Sequence, residues 1–185
     1  MSIEELKNQI WITRVSRVNA EKRLICKVNF SQGINIYYSC MTIIFSILAL
    51  INNDAQLSVL TVFMTVSLLL VILYLNSQRY KENAREYRKN YTELQRLELR
   101  LDHITDENCQ EVRDIEQEYC DLLDSANNHS TYDYYCTVYG SNVDFKKGRW
   151  EGIRRLFWMN RIWRGIVKIL LVLLPIILYL MCEVV

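Results

Sequence analysis

The stretch that decides the fold is INIYYSCMTIIFSILALI (residues 34–51), then NNDAQ (52–56), then LSVLTVFMTVSLLLVILYL (57–75). Two apolar runs of 18 and 19 residues flank a five-residue polar patch, and neither run holds a charged side chain. At about 1.5 Å of rise per helical residue, each run extends about 27–29 Å, close to the roughly 30 Å hydrocarbon core of a bilayer. A connection as short as Asn52–Gln56 permits only an antiparallel return. The sequence predicts a transmembrane helical hairpin over residues 34–75.

Working outward, residues 1–33 read as an amphipathic N-terminal helix. Ser2-Ile3-Glu4-Glu5 has the form of a capping box. Leu6, Ile10, Val18 and Ile25 then recur at roughly helical spacing, with Lys7, Arg14, Arg17, Lys22 and Arg23 between them. Phe30-Ser31-Gln32-Gly33 predicts a break before the membrane. The apolar face serves either as a packing element of a soluble module or as a basic membrane-surface helix. More than thirty mixed-polarity residues precede the first apolar run and no A-x-A-like site follows it, so no cleavable signal peptide is expected.

After the hairpin, residues 76–135 read as a helical module. Tyr74-Leu75-Asn76 contains no Gly or Pro, which predicts one continuous helix leaving the bilayer. Its apolar positions are Tyr80, Ala84, Tyr87, Tyr91, Leu94, Leu97, Leu101 and Ile104, at spacings of three and four. Thr105-Asp106 supplies a cap-type break. A second amphipathic helix follows, with Cys109, Val112, Ile115, Tyr119, Leu122 and Ala126 on its apolar side. Residues 102–124 carry nine acids against the single base Arg113, whereas the preceding helix is basic near the membrane. Folded back antiparallel, the two match in charge, although each exposed pair adds only a few tenths of a kcal/mol. Turn-forming and aromatic residues 127–135 predict a loop or short elements.

Residues 136–165 form a basic, aromatic linker in which Trp150, Trp158 and Trp163 carry the signature of an interfacial belt. A third apolar run, Ile166 to Met181, is interrupted by Lys168 and Pro175. A third transmembrane helix over 166–185 is expected if Lys168 snorkels to the interface, with a tolerated kink at Pro175. The fold class is therefore an all-α membrane protein: a hairpin, a helical module and a C-terminal third membrane helix.

Flanking charge gives a direction. Six Lys/Arg precede the hairpin, five lie within Asn76–Asn90 and seven within Lys146–Arg164, while the turn has none and carries Asp54. By the positive-inside rule, the N-terminus and residues 76–165 face the cytoplasm of a plasma (inner) membrane, with the hairpin turn outside.

The hairpin also carries rows of small and hydroxylic residues. Asn35, Ser39, Thr42, Ser46 and Ala49 recur at spacings of four and three, and Ser58, Thr61 and Thr65 do the same on the second helix. Such rows let helices approach closely in lipid and hydrogen-bond across their interface. They serve equally to line a narrow wet path once several hairpins assemble.

No set of residues points to catalysis. The sequence has no Walker loop, no GxGxxG and no HExxH. His129 and Ser130, adjacent and followed by Asp133, lack a nucleophile elbow or an oxyanion loop; a loop-structuring cluster is the better reading. Cys109, Cys120, His129 and Cys136 have irregular gaps that do not form a zinc pattern, and the six cysteines read as reduced thiols. No cofactor, no metal and no direct nucleic-acid binding are expected, and the chain reads as a non-enzyme.

The ordered residues nevertheless resemble a family. Arg17 with Ala20-Glu21-Lys22-Arg23-Leu24, Tyr37-Tyr38-Ser39 entering the first membrane helix, and Arg79-Tyr80, Ala84, Tyr87, Asn90-Tyr91 and Leu94-Gln95 leaving the second carry the resemblance. Glu116 with Tyr119, and Asn128-His129 with Asp133-Tyr134, continue it. Over residues 14–135 the chain resembles the SLATT proteins, small two-transmembrane effectors of bacterial anti-phage systems, and most of all the group encoded beside reverse transcriptases. The resemblance implies a homo-oligomer that permeabilises the membrane when a partner, a sensor or a reverse transcriptase, releases or triggers it. A non-pore adaptor that anchors such an enzyme at the membrane is the alternative. The third membrane helix departs from the two-pass description.

Overall fold

The polar patch between the two apolar runs shortens to two residues in the computed structural model, which describes residues 2–104, 110–125, 130–140 and 150–184. Helix α1 (Ile3–Asn52) ends at Asn53, whose φ of 50° is left-handed, a conformation that Asn tolerates. The Asp54 amide returns to the Ala49 carbonyl at 3.0 Å, closing a Schellman-type cap. The Asp54 carboxylate then accepts from the amides of Gln56 (2.9 Å) and Leu57 (3.1 Å), starting α2 (Ala55–Ser77). The remaining helices are α3 (Tyr80–Leu101), α4 (Gln110–Asp124), α5 (Thr131–Gly140) and α6 (Trp150–Val184). The chain is an all-α membrane protein, and among the described residues three helices are long and apolar enough to cross a bilayer.

Three local expectations change. Helix α1 runs unbroken through Phe30–Gly33, because one Gly and one Ser in a long helix cost only about 1 kcal/mol or less each. The helix expected to continue past residue 76 is interrupted instead. Ser77 Oγ bonds back to the Tyr74 carbonyl at 2.7 Å, and Arg79 adopts φ 48°, ending α2 before α3 begins. Of residues 127–135, expected as a loop or short elements, 131–135 belong to the ten-residue helix α5. Cys109, Ala126 and His129, together with the Thr105-Asp106 break and Asn127-Asn128, lie outside the described residues.

The chain forms two compact units. One comprises residues 1–26 and 81–157, here the helical unit; the other comprises 27–80 and 158–185, here the membrane unit. In the helical unit the buried face of α1 is Leu6, Ile10, Thr13, Arg17, Ala20 and Leu24, alternating steps of four and three. Leu6 and Ile10 meet Leu94, Leu97, Leu101, Val112, Ile115 and Tyr119 in one apolar cluster. Val18 is only half-buried and Ile25 is exposed, so the sequence stripe drifted off the true face. The expected capping box forms: the Ser2 amide donates to Glu5 Oε2 and the Glu5 amide to Ser2 Oγ.

The basic and acidic helices meet through Arg100 and Glu118 (2.8 Å). Other pairs run to α1 instead: Lys7 with Asp102, Arg14 with Glu98 (2.8 Å) and Glu21 with Arg88 (2.7 Å). In the membrane unit Phe45, Ala49, Leu57 and Met64 form a small buried cluster against Tyr38, Met41, Leu48, Leu60 and Tyr179. Leu50, Phe63 and Leu70 stay 82%, 72% and 62% exposed, which suits side chains solvated by lipid.

Candidate functional site: hydroxyl rows in the membrane unit and a polar core in the helical unit

Hydroxyls in a membrane helix bond either to their own backbone or to a neighbour. The rows singled out in the sequence bond to their own helices. Ser39 donates to the Asn35 carbonyl (2.9 Å), Ser46 to Thr42 (2.8 Å), Ser58 to Asp54 (2.9 Å), Thr61 to Ser58 (2.8 Å) and Thr65 to Thr61 (2.8 Å). Thr42 Oγ1 is buried with no partner. Asn35, Ser39, Thr42 and Ser46 are half-buried along one edge of α1, and Ala49 is fully inside. The α2 row divides: Thr61 is buried at 7% exposure, whereas Ser58 and Thr65 stand on the exposed surface.

Bonds between membrane helices come from residues outside those rows. The Tyr38 hydroxyl donates to the Leu171 carbonyl of α6 at 2.7 Å, and Tyr37 donates to Val172 at 2.9 Å. Phe45 stacks on Tyr179 with ring centroids 5.2 Å apart. The Lys168 ammonium, expected to snorkel, lies 4.8 Å over the Phe30 ring. Of the expected interfacial anchors, Trp158 and Trp163 are exposed, and Arg161 lies 6.0 Å over Trp158. Trp150 opens α6, its side chain outside the described set.

The helical unit holds a polar core that periodicity alone did not reveal. Past Ile10, the inward positions of α1 turn polar, and each polar group has to find a donor or acceptor away from water. Thr13 shares a hydrogen bond with the Tyr119 hydroxyl (2.9 Å), and Ser16 with Thr137 (3.0 Å). Asn19 also donates to Thr137 (3.0 Å). Arg23 grips Asp133 through two nearly parallel bonds of 2.8 and 2.9 Å, the two-pronged geometry that suits guanidinium and carboxylate. Ser130 adds its amide (3.1 Å) and hydroxyl (2.7 Å) to the same carboxylate, capping α5. Burial pushes the Asp133 carboxyl up, but the bonds from Arg23 and Ser130 outweigh it and hold it below the ordinary range. Ser130 and Asp133 are thus tied into a cap and an ion pair.

Arg17 is different. It has no exposed surface, and one guanidinium nitrogen donates to the Leu122 carbonyl at 3.1 Å. Its Nε and Nη2 have no partner, and burial lowers its pKa. Asn90 from α3 donates to the same carbonyl (2.9 Å) and leaves its own Oδ1 buried and unpartnered. An unpaired buried cation beside an unpaired acceptor is a costly arrangement, and the apolar cluster of the same unit has to offset it. Among the described residues no group of three or more His, Cys, Asp or Glu is placed to hold a metal ion.

Periodicity missed Arg17, Glu21, Asn90, Asp133 and the two tyrosines. Every one of them is among the residues that carry the family resemblance, and that was the available signal. Comparison with curated proteins and with solved structures gave no match. A family model, the SMODS and SLOG-associating 2TM effector domain family 5 of the SLATT group, matches residues 1–181, which take in α6 as well as the hairpin. With that match spanning all six helices, the chain belongs to this family of two-transmembrane effectors, in a form with a third helix able to cross the membrane.

Proposed function

We propose that this membrane effector of anti-phage systems acts by assembling with copies of itself and permeabilising the bacterial inner membrane. The observation that carries the reading is the exposure of Ser58 and Thr65 on α2, between side chains as apolar as Val59, Val62 and Val66. Both hydroxyls have satisfied their own helix, so they give a narrow, weakly polar track on a surface that a lone hairpin turns to lipid. A neighbouring copy or a thread of water is a better environment for that track than acyl chains. In this reading the N-terminus and the helical unit lie in the cytoplasm, a direction the flanking Lys and Arg support. The chain performs no catalysis. A partner, either a sensor or a reverse transcriptase encoded nearby, supplies the signal, and its binding or release shifts a closed–open equilibrium.

The test is membrane potential in cells expressing the chain with its trigger. Depolarisation that is lost in S58L/T65L, with expression and insertion unchanged, supports the reading. Full depolarisation by that variant overturns the role of the track. Unchanged potential in triggered cells, with protection from phage retained, favours the alternative of a membrane adaptor for a nucleic-acid enzyme. Under that alternative, an unrelated anchor substitutes for residues 34–75.

A further inference from the structure

Pro175 is fully buried, although most α6 residues from Ile166 to Ile177 are exposed. Proline has no amide hydrogen, so the carbonyl four residues earlier, that of Leu171, loses its helical donor. That carbonyl is the one that accepts from Tyr38 at 2.7 Å. The next carbonyl, Val172, accepts from Tyr37 at 2.9 Å. Adjacent residues on a helix point about 100° apart, yet these two neighbouring tyrosines reach two successive carbonyls of one partner helix. Where acyl chains replace water, no solvent takes over either bond.

The rest of the seam is thin. Among the described residues it includes the Phe45–Tyr179 stack beside Ala49, the Lys168–Phe30 contact and the buried Pro175. Lipid tails solvate Leu and Ile as well as another helix does, so apolar contact alone does not hold α6 in place. A cross-helix hydrogen bond in a membrane shifts an equilibrium by about 3-fold to 20-fold. Two such bonds give a bias of a size that a trigger can overcome.

We propose that α6 is a detachable clamp on α1, keyed by Tyr37 and Tyr38 to the carbonyls beside Pro175, and that its docking restrains the membrane unit in its resting state. The restraint rests on the permeabilising function proposed above; the clamp itself rests on geometry alone. Undocking leaves the Leu171 carbonyl without any donor and the two tyrosine hydroxyls of α1 without acceptors, whereas the Val172 carbonyl keeps its own helical amide.

The experiment uses the full chain in dye-loaded phosphatidylethanolamine–phosphatidylglycerol vesicles, with native cysteines replaced by alanine. Y38F raises untriggered leakage by about 3-fold to 20-fold. P175A restores the amide hydrogen that Leu171 lacks, so adding Y38F to P175A leaves leakage at the level of P175A alone. In Y38F/F45C/Y179C, oxidation to a disulfide locks α6 onto α1 and removes the extra leakage, and reduction returns it. Where the parent chain leaks, equal effects of Y38F with and without Pro175 overturn the keyed clamp, as does leakage in Y38F that equals the parent's. Leakage that persists through the oxidised lock overturns the restraint. Should no variant leak while disulfide formation still falls with Y38F and recovers with P175A, the permeabilising function fails and takes the restraint with it, and the keyed contact stands.

Discussion

The two units of this chain solve the same packing problem in opposite ways. The helical unit buries Leu6, Ile10, Leu94 and Ile115 completely, and with them the polar groups of Arg17, Ser16 and Asp133. The membrane unit leaves Leu50, Phe63 and Leu70 largely uncovered and joins α6 to α1 through hydroxyls and rings. The difference follows from the solvent. In water, apolar burial supplies the driving force, which is large enough to carry a costly polar core. In lipid that force is absent, so contacts between helices depend on bonds that the acyl chains cannot offer.

Substitutions can break or sharpen this contrast. Leu94→Ala should lose about 3 kcal/mol or more, because it empties a site with no exposure in the apolar cluster of the helical unit, whereas Leu70→Ala on the lipid-facing side of α2 should cost a small fraction of that. Thermal melting of the full chain in detergent measures both, and equal losses would remove the distinction. Asp133→Ala should cost about 3 kcal/mol, since it leaves the Arg23 guanidinium facing a buried gap. The same pair predicts a pH dependence. The Asp133 carboxyl is held below its unfolded value, so its contribution is complete above the unfolded pKa, near 3.9. That contribution fades as pH falls from there through the folded value. Melting temperature against pH should therefore drop below about pH 4 in the parent and drop less in Asp133→Asn.

Arg17→Met should change stability in the opposite direction, raising it by about 1–2 kcal/mol, because a methionine of similar length removes an uncompensated buried charge. Retained phage protection in that variant would show that the cation serves nothing further; lost protection with a higher melting temperature would place it in function. The smallest effect is expected at Gly33. A Cβ there meets nothing within 4 Å, so Gly33→Ala should stabilise α1 by up to about 1 kcal/mol through helix propensity alone. Destabilisation would show that the continuity of α1 needs glycine at that point.

Much of the architecture was legible because it depends on one segment at a time. The length of residues 34–51 and 57–75 sufficed for the hairpin, Ser2 and Glu5 for the cap, and the run around Lys168 and Pro175 for the third apolar helix. The face of α1 was not legible, because its inward positions Thr13, Ser16, Arg17 and Glu21 are polar and a hydrophobic count passes over them. The hydroxyl rows were visible as a pattern, yet their bonds proved to be internal to each helix, since a Ser or Thr reaches its own carbonyl three or four residues back with no partner needed.

The sequence by itself determined which segments can cross a bilayer and where helices begin with a cap, because length, composition and local hydrogen bonding are properties of neighbours in the chain. It also pointed, through family resemblance, at Arg17, Tyr38 and Asp133 without giving their reason. Only the tertiary structure decided that Arg23 holds Asp133 from 110 positions away, and that Tyr38 answers the carbonyl freed by Pro175 from 133 positions away. Those pairings are set by which helix faces meet. A proline's missing hydrogen reads in sequence only as a kink; which group replaces it depends on what the fold brings within about 3 Å.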